Sequence, residues 1–349
     1  MLKEPLRVIE GQYFQDLMAQ PEALEATFAW LSDHGRWRTV NAFLSARRWK
    51  RIVLTGMGSS FHSLHPLNLT LIEAGFTPIL METSELIHHG RALFDEQTLI
   101  VAVSQSGRSA ETLRLLEVNK VAPLLAVTNT QDSPLANSSH CALLSQAGIE
   151  ATVSCKTYVS GLLMLQWLGA IAAGRPEAET TRVLGRAAAL VDQYLKNWRE
   201  HSEALAEKLR GARHLFLAGR GDSLAAVGTG ALIIKESAHC HAEGMSSAAF
   251  RHGPMEMLQK HMRTVVFSGG GQTRELNRHL IRDLTGKGGL CDEIGDESTY
   301  EPFRLPSVDV HLQPLVEILP IQMMTLALAA LSGREAGRFE YATKITATE

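Results

Sequence analysis

A short apolar run, a glycine turn and a helical stretch occur twice in this chain. RIVLT at 51–55 ends in Gly56, Met57, Gly58, Ser59 and Ser60, and HLFLA at 214–218 ends in Gly219, Arg220, Gly221, Asp222 and Ser223. Gly221 follows Gly58 by 163 residues. TLIVAV at 98–103, running into SQSGRS at 104–109, is echoed at a similar offset by TVVFS at 264–268 and GGGQT at 269–273. Further strand candidates stand at 77–81 (TPILM), 124–128 (LLAVT) and 141–144 (CALL). Strands alternating with helical stretches predict parallel βαβ units, which bind ligands beyond the carboxyl ends of their strands. The repetition predicts a duplicated, doubly wound α/β chain.

Between the repeats, the pattern predicts helical segments at 5–50, with a break at Gln20 and Pro21, and a long apolar helix at 151–173. A polar helical connector is expected at 176–209 and a second apolar helix at 314–330. The domain reading is N-terminal helices at 1–34, a first α/β domain at 35–175, the connector at 176–210, a second α/β domain at 211–338 and a tail at 339–349. The tail, EYATKITATE at 340–349, is of a kind usually disordered, but its alternating apolar positions offer docking as the alternative.

A length of 349 residues accommodates two such units, and a formal net charge of -3 leaves no electrostatic footprint for nucleic acid. Cys141, Cys155, Cys240 and Cys291 have no CxxC spacing, so neither a disulfide framework nor a zinc ribbon is indicated. The basic run at 47–51 reads as the solvated end of a helix. With no basic-apolar leader and no unbroken apolar stretch of membrane length, the expectation is a cytoplasmic protein with no membrane partner.

Ionisable chemistry concentrates at 230–254, GALIIKESAHCHAEGMSSAAFRHGP. Residues 231–242 read as helix, with Leu232, Ile233, Ser237 and Cys240 inward and Gly244 as the break. Glu236 then sits mid-helix and His252 in a loop able to fold back towards it. A carboxylate and an imidazole on separate elements suit proton shuttling between neighbouring carbons and oxygens of a sugar. The bland alternative is a surface ion pair of Glu236 with Lys235 and a structural loop histidine. His239 and Glu243 stand at i,i+4 on the predicted helix, but a metal needs three or four convergent ligands, and no metal site is expected.

SQSGRS places three hydroxyls, a carboxamide and a glycine where a strand meets a helix beginning near Ala110. Free backbone N–H groups and the positive end of the helix dipole point at such a loop. With no acid inside it, the loop suits a phosphate. Ser59 and Ser60 offer further hydroxyls from the neighbouring strand end, although a single serine there would be only a helix cap. GMGSSF and GRGDSL both lack the third small residue of a dinucleotide fingerprint, and no P-loop is present. Glu82 alone keeps a nicotinamide dehydrogenase in view; no cofactor is expected.

With these residues the chain resembles the double-SIS (sugar isomerase) family. It is most similar to the isomerase half of glucosamine-6-phosphate synthase and its stand-alone amino-sugar-phosphate relatives. The resemblance rests on SQSG at 104–107, GRGD at 219–222, Lys235-Glu236 with HAE at 241–243, RHGP at 251–254 and Lys344. It implies two tandem SIS-type doubly wound (flavodoxin-like) parallel-sheet units. It also implies a sugar 6-phosphate held by Ser104, Gln105, Ser106 and Ser109, with Ser59 and Ser60 beside them. Glu236 matches the base that moves a proton between C1 and C2. His252 matches the ring-opening histidine, which in the synthase comes from the neighbouring subunit, so a homodimer or higher homo-oligomer is expected. Lys344 matches a tail lysine that closes over the sugar and takes part in ring opening or imine chemistry. Burial raises a carboxyl pKa, imidazole exchanges protons near neutrality and an amine forms imines.

Three departures qualify the likeness. The chain begins Met1-Leu2 and reaches SIS-like sequence within about 50 residues, so no glutaminase half is expected. Ile233 replaces a lysine one helical turn before the catalytic acid. Arg108 replaces an acidic residue in the phosphate loop. Together they favour an amino-sugar or glycated-amine 6-phosphate isomerase that releases ammonia or an amine. The alternatives are a fructosamine or glucoselysine 6-phosphate deglycase and a non-catalytic sugar-phosphate-binding regulator.

Overall fold

The computed structural model describes residues 9–46, 49–346 and 348; Arg47, Arg48 and residues 5–8 of the expected N-terminal helical stretch lie outside them. The chain divides into two compact units, each assembled from separated segments. Of the described residues, one comprises Pro21–Glu150, Lys156–Ala188 and the tail from Tyr341; the other comprises residues 9–20, Ala151–Cys155 and Ala189–Glu340.

The first-copy unit is built on β1 (Arg51–Gly56), β2 (Pro78–Glu82), β3 (Thr98–Val103), β4 (Leu124–Thr128) and β5 (Cys141–Leu144). All pair in parallel, in the order β2-β1-β3-β4-β5. Every residue of β3 and β4 is buried, as expected of central strands whose apolar runs are covered on both faces. Val53, Ile100, Ala102, Leu124 and Ala126 pack there with Leu86, Ile87 and Leu115 of the flanking helices Thr83–His89 and Ala110–Val118.

The second-copy unit repeats the plan with β6 (His214–Gly219), β7 (His241–Ser246), β8 (Met262–Phe267) and β9 (Leu290–Ile294), parallel in the order β7-β6-β8-β9. The first four strands of the other copy share this order. Both sheets reverse winding direction beside their first strand, between β1 and β3 and between β6 and β8.

Two sequence expectations need correction, and a third gains detail. The helix expected at 231–242 runs Leu224–Ala238 and ends at His239, which is left-handed at φ 49°. The following residues are β7, in register with β6 from His214↔His241 to Gly219↔Ser246. His239 and Glu243 therefore never share a helical face. Gly244 is not a helix breaker: a Cβ there would lie 2.5 Å from the carbonyl oxygen of Val227, so glycine lets β7 approach the helix. The apolar helix expected from 151 starts at Lys156 and ends at Ala172. The connector is three helices, Glu177–Leu184, Ala187–Leu195 and Trp198–Leu209.

Residues 9–20 pack into the second-copy unit. Tyr13 Oη lies 3.2 Å from Thr325 Oγ1, and the buried amides of Gln20 and Gln322 exchange two hydrogen bonds of 2.9 Å each. The helix Gln313–Leu331 is long and apolar enough to cross a membrane, but it is buried against Leu224–Ala238 and Trp198–Leu209. Within it, buried Glu317 accepts 2.8 Å hydrogen bonds from Ser223 Oγ and Gln313 Nε2, and its Oε2 has no hydrogen-bond partner among the described residues.

Burial pushes the Glu317 carboxyl up to about 7, against those two hydrogen bonds and aided by the charge of Asp222. A carboxyl held above its unfolded value favours the fold fully below pH about 4.5, and this contribution is lost as pH rises through about 7. Glu317→Gln should therefore abolish a stability decline of about 3 kcal/mol across that window. Denaturant unfolding of parent and variant at several pH values checks it; parallel pH profiles would contradict it.

Candidate functional site

Parallel pairing of β1 with β3, Gly56 opposite Val103, sets two turns side by side at the carboxyl end of the first sheet. A Cβ on Gly56 would stand 3.0 Å from both the Ser60 carbonyl carbon and the Val103 oxygen, so the chain can turn this closely only at glycine. Gly58, at φ 53°, opens the short helix Gly58–His62, which carries Ser59 and Ser60, both half-buried, in its first turn.

The second turn is closed by its own hydroxyls. Ser104 Oγ accepts from Gly107 N, Ser106 Oγ from Arg108 N, both at 3.2 Å, and Ser109 Oγ caps the helix Ala110–Val118 by accepting from Thr112 N at 3.3 Å. A serine oxygen that accepts a backbone proton keeps its own hydrogen to donate. The Ser104 and Ser106 hydroxyls are thus oriented donors. The Gln105 carbonyl accepts from Asn129 N and Thr128 Oγ1, tying the loop to the end of β4. Arg108 is exposed and donates to the Asp132 carbonyl at 2.7 Å.

The amides at this helix start are not all free, contrary to the sequence reading. Thr112 N is capped, and Ala110 N donates to the carbonyl of Thr346 at 3.1 Å. The tail therefore docks on the helix that follows the hydroxyl loop. Glu111, in the same turn, is buried, and its Oε2 has no hydrogen-bond partner among the described residues; the sequence reading overlooked this acid.

Lys344 is anchored nearby in the chain's own tail. Its Nζ lies 2.5 Å from Glu150 Oε2, on a side chain with 0% exposure. Glu150 also accepts from Thr157 N at 3.0 Å and from Thr157 Oγ1 at 2.6 Å. Glu150 was missed from sequence because its pairing with Lys344 spans 194 residues and no local pattern announces it.

Glu236 and His252 belong to the other unit. Glu236 is half-buried in the last turn of Leu224–Ala238, not mid-helix, and Ile233 is fully buried one turn earlier. His252 is exposed, closing the helix Ser247–Arg251, and Gly253 follows at φ 129°. Arg251 pairs with Asp283 at 2.6 Å, which fixes the turn and leaves the imidazole outward-facing.

Comparison with known proteins follows this duplication. The model of the SIS domain matches residues 46–170 and again 208–332. The glutamine–fructose-6-phosphate aminotransferase (isomerizing) of Pyrococcus horikoshii is 29% identical over 303 residues, 83% of this chain and 50% of that protein. The corresponding human protein 2 is 28% identical over 304 residues, 82% of this chain and 44% of that one. The chain thus spans about half the length of these relatives. Among solved structures, the C-terminal domain of the Francisella tularensis aminotransferase superposes with a TM-score of 0.83 at 21% identity, covering 94% of this chain and 98% of that one. Thermotoga maritima glucosamine-6-phosphate deaminase gives 0.79 at 18% identity, covering 97% and 100%. At such identities the structures establish a shared fold.

Proposed function

Since the chain belongs to the SIS domain family, we propose that it is a sugar-phosphate isomerase acting on an amino-sugar or glycated-amine 6-phosphate. It interconverts aldose and ketose and releases ammonia or an amine. The observation that carries this reading is the hydroxyl loop at 104–109, whose Ser104 and Ser106 oxygens are bound to backbone N–H groups and whose hydrogens remain to be donated. Ser104, Gln105, Ser106 and Ser109, with Ser59 and Ser60, hold the phosphate. Glu236 carries the proton between C1 and C2. His252 opens the ring; its exposure supports a role completed by a second copy in a homodimer. Lys344 closes over the sugar with the tail. Ile233, an apolar residue where the synthases resembled here carry a lysine, and Arg108 in the phosphate loop favour a deaminating or deglycating enzyme over a synthase.

The test is an end-point assay for released ammonia or amine and for new ketose 6-phosphate. The substrates are glucosamine, galactosamine, fructose, fructoselysine and glucoselysine 6-phosphates. Ammonia from a hexosamine phosphate establishes the deaminase, and lysine from a glycated substrate establishes the deglycase. Silence on every substrate, with sugar phosphates still raising the melting temperature, rejects the enzyme in favour of a sensor. Ser104→Ala and Ser106→Ala should each raise KM with kcat little changed, through loss of a charged-group hydrogen bond worth about 1.5–3 kcal/mol. Unchanged KM in both variants would sink the phosphate assignment.

A further inference from the structure

We infer that Glu150 is the positioning residue for Lys344, seating the tail and taking the proton that the lysine must lose to react. The inference rests on the proposed role of Lys344; the seat itself rests on geometry alone. A carboxylate with 0% side-chain exposure is costly unless its oxygens are satisfied and its charge is met. Thr157 N and Oγ1 fix the carboxylate orientation, and the Lys344 ammonium supplies countercharge from near the end of the chain. A second anchor, Ala110 N to Thr346 O, holds the tail two residues further on. Seating the tail is thereby coupled to charge on Lys344.

The same contact bears on reactivity. An ammonium has no lone pair, so imine formation at a sugar carbonyl first requires deprotonation. Glu150 Oε2, 2.5 Å from Nζ, is in place to accept that proton. The freed lone pair forms the C–N bond while the carbonyl π pair moves to oxygen, which takes the proton back from Glu150. The hydroxyl then leaves as water with one nitrogen proton. The iminium that remains is again a cation facing a carboxylate, so the pair survives the step.

Two measurements on the full chain separate the seat from the chemistry. Amide exchange at Ala110 and proteolysis of the tail need no activity. Glu150→Gln should accelerate both, and unchanged rates would overturn the seat. The second is borohydride trapping with fructose 6-phosphate as the probe, read as a mass adduct on Lys344. Labelling should fall on the order of 10²-fold in Glu150→Gln at neutral pH and recover as the pH is raised, since hydroxide then takes the proton in place of the lost carboxylate. Labelling of the variant at the parent's rate throughout would overturn proton acceptance. A parent that takes no label, with tail exchange still accelerated in the variant, overturns the imine role of Lys344 and upholds the seat. Should Glu150→Gln fold poorly, Thr157→Val removes one hydrogen bond from the same Oε2 and should shift both readouts in the same direction; no shift would overturn the assignment.

Discussion

Glu236→Gln is expected to lower kcat by about 10²–10⁴-fold, the usual contribution of a positioned general base, while sugar-phosphate binding stays near the parent's. Glutamine keeps the shape of the side chain and its capacity to hydrogen-bond but cannot accept a proton from carbon. The residue is half-buried in the last turn of its helix, three positions before the left-handed His239. Turnover by coupled assay and affinity by calorimetry with fructose 6-phosphate separate the two effects. Parent-like turnover would remove Glu236 from the mechanism, and equal loss of binding and turnover would make it a binding residue.

Gly107→Ala should be the most damaging change in the phosphate loop. Its backbone is left-handed at φ 60°, and a Cβ would stand 2.4 Å from Ser133 Oγ and 2.6 Å from Ser133 Cβ. Ser133 has little freedom to retreat because its hydroxyl caps the helix Pro134–Ser138 by accepting from Ala136 N. The strained dihedral alone costs about 1–3 kcal/mol, and any relief by loop movement disturbs the bonds from Gly107 N to Ser104 Oγ and from Arg108 N to Ser106 Oγ. We expect a lowered melting temperature together with a raised KM. A variant that melts and binds like the parent would show that the loop does not depend on this turn.

The central strands were readable because burial on both faces demands uninterrupted apolar residues, and TLIVAV and LLAVT supply them. β7 and β9 were not. HAEGMS and LCDEI lie at the two edges of the second sheet, where only part of each strand is buried and polar residues are tolerated. The early end of the Glu236 helix was equally silent, since a histidine, not a glycine or asparagine, adopts the left-handed closing conformation. Ser59, Ser60 and the loop at 104–109 were read as neighbours because the alternation of strands predicted the topology that joins them. Glu150 was invisible for the opposite reason: its partner, Lys344, is brought to it by the folded tail and not by any repeating pattern.

The interleaving of segments has a consequence for how the protein emerges from the ribosome. The first sheet is complete in sequence once β5 has been made, yet its unit also uses the tail from Tyr341, which is synthesised last. Residues 9–20 are synthesised early but belong with helices that appear some 300 positions later, as the Gln20–Gln322 amide pair records. Domains usually fold as units in order of synthesis. Here the nascent N-terminal segment must wait, and cutting the chain at its internal repeat boundary would strip each half of a piece that the other half carries.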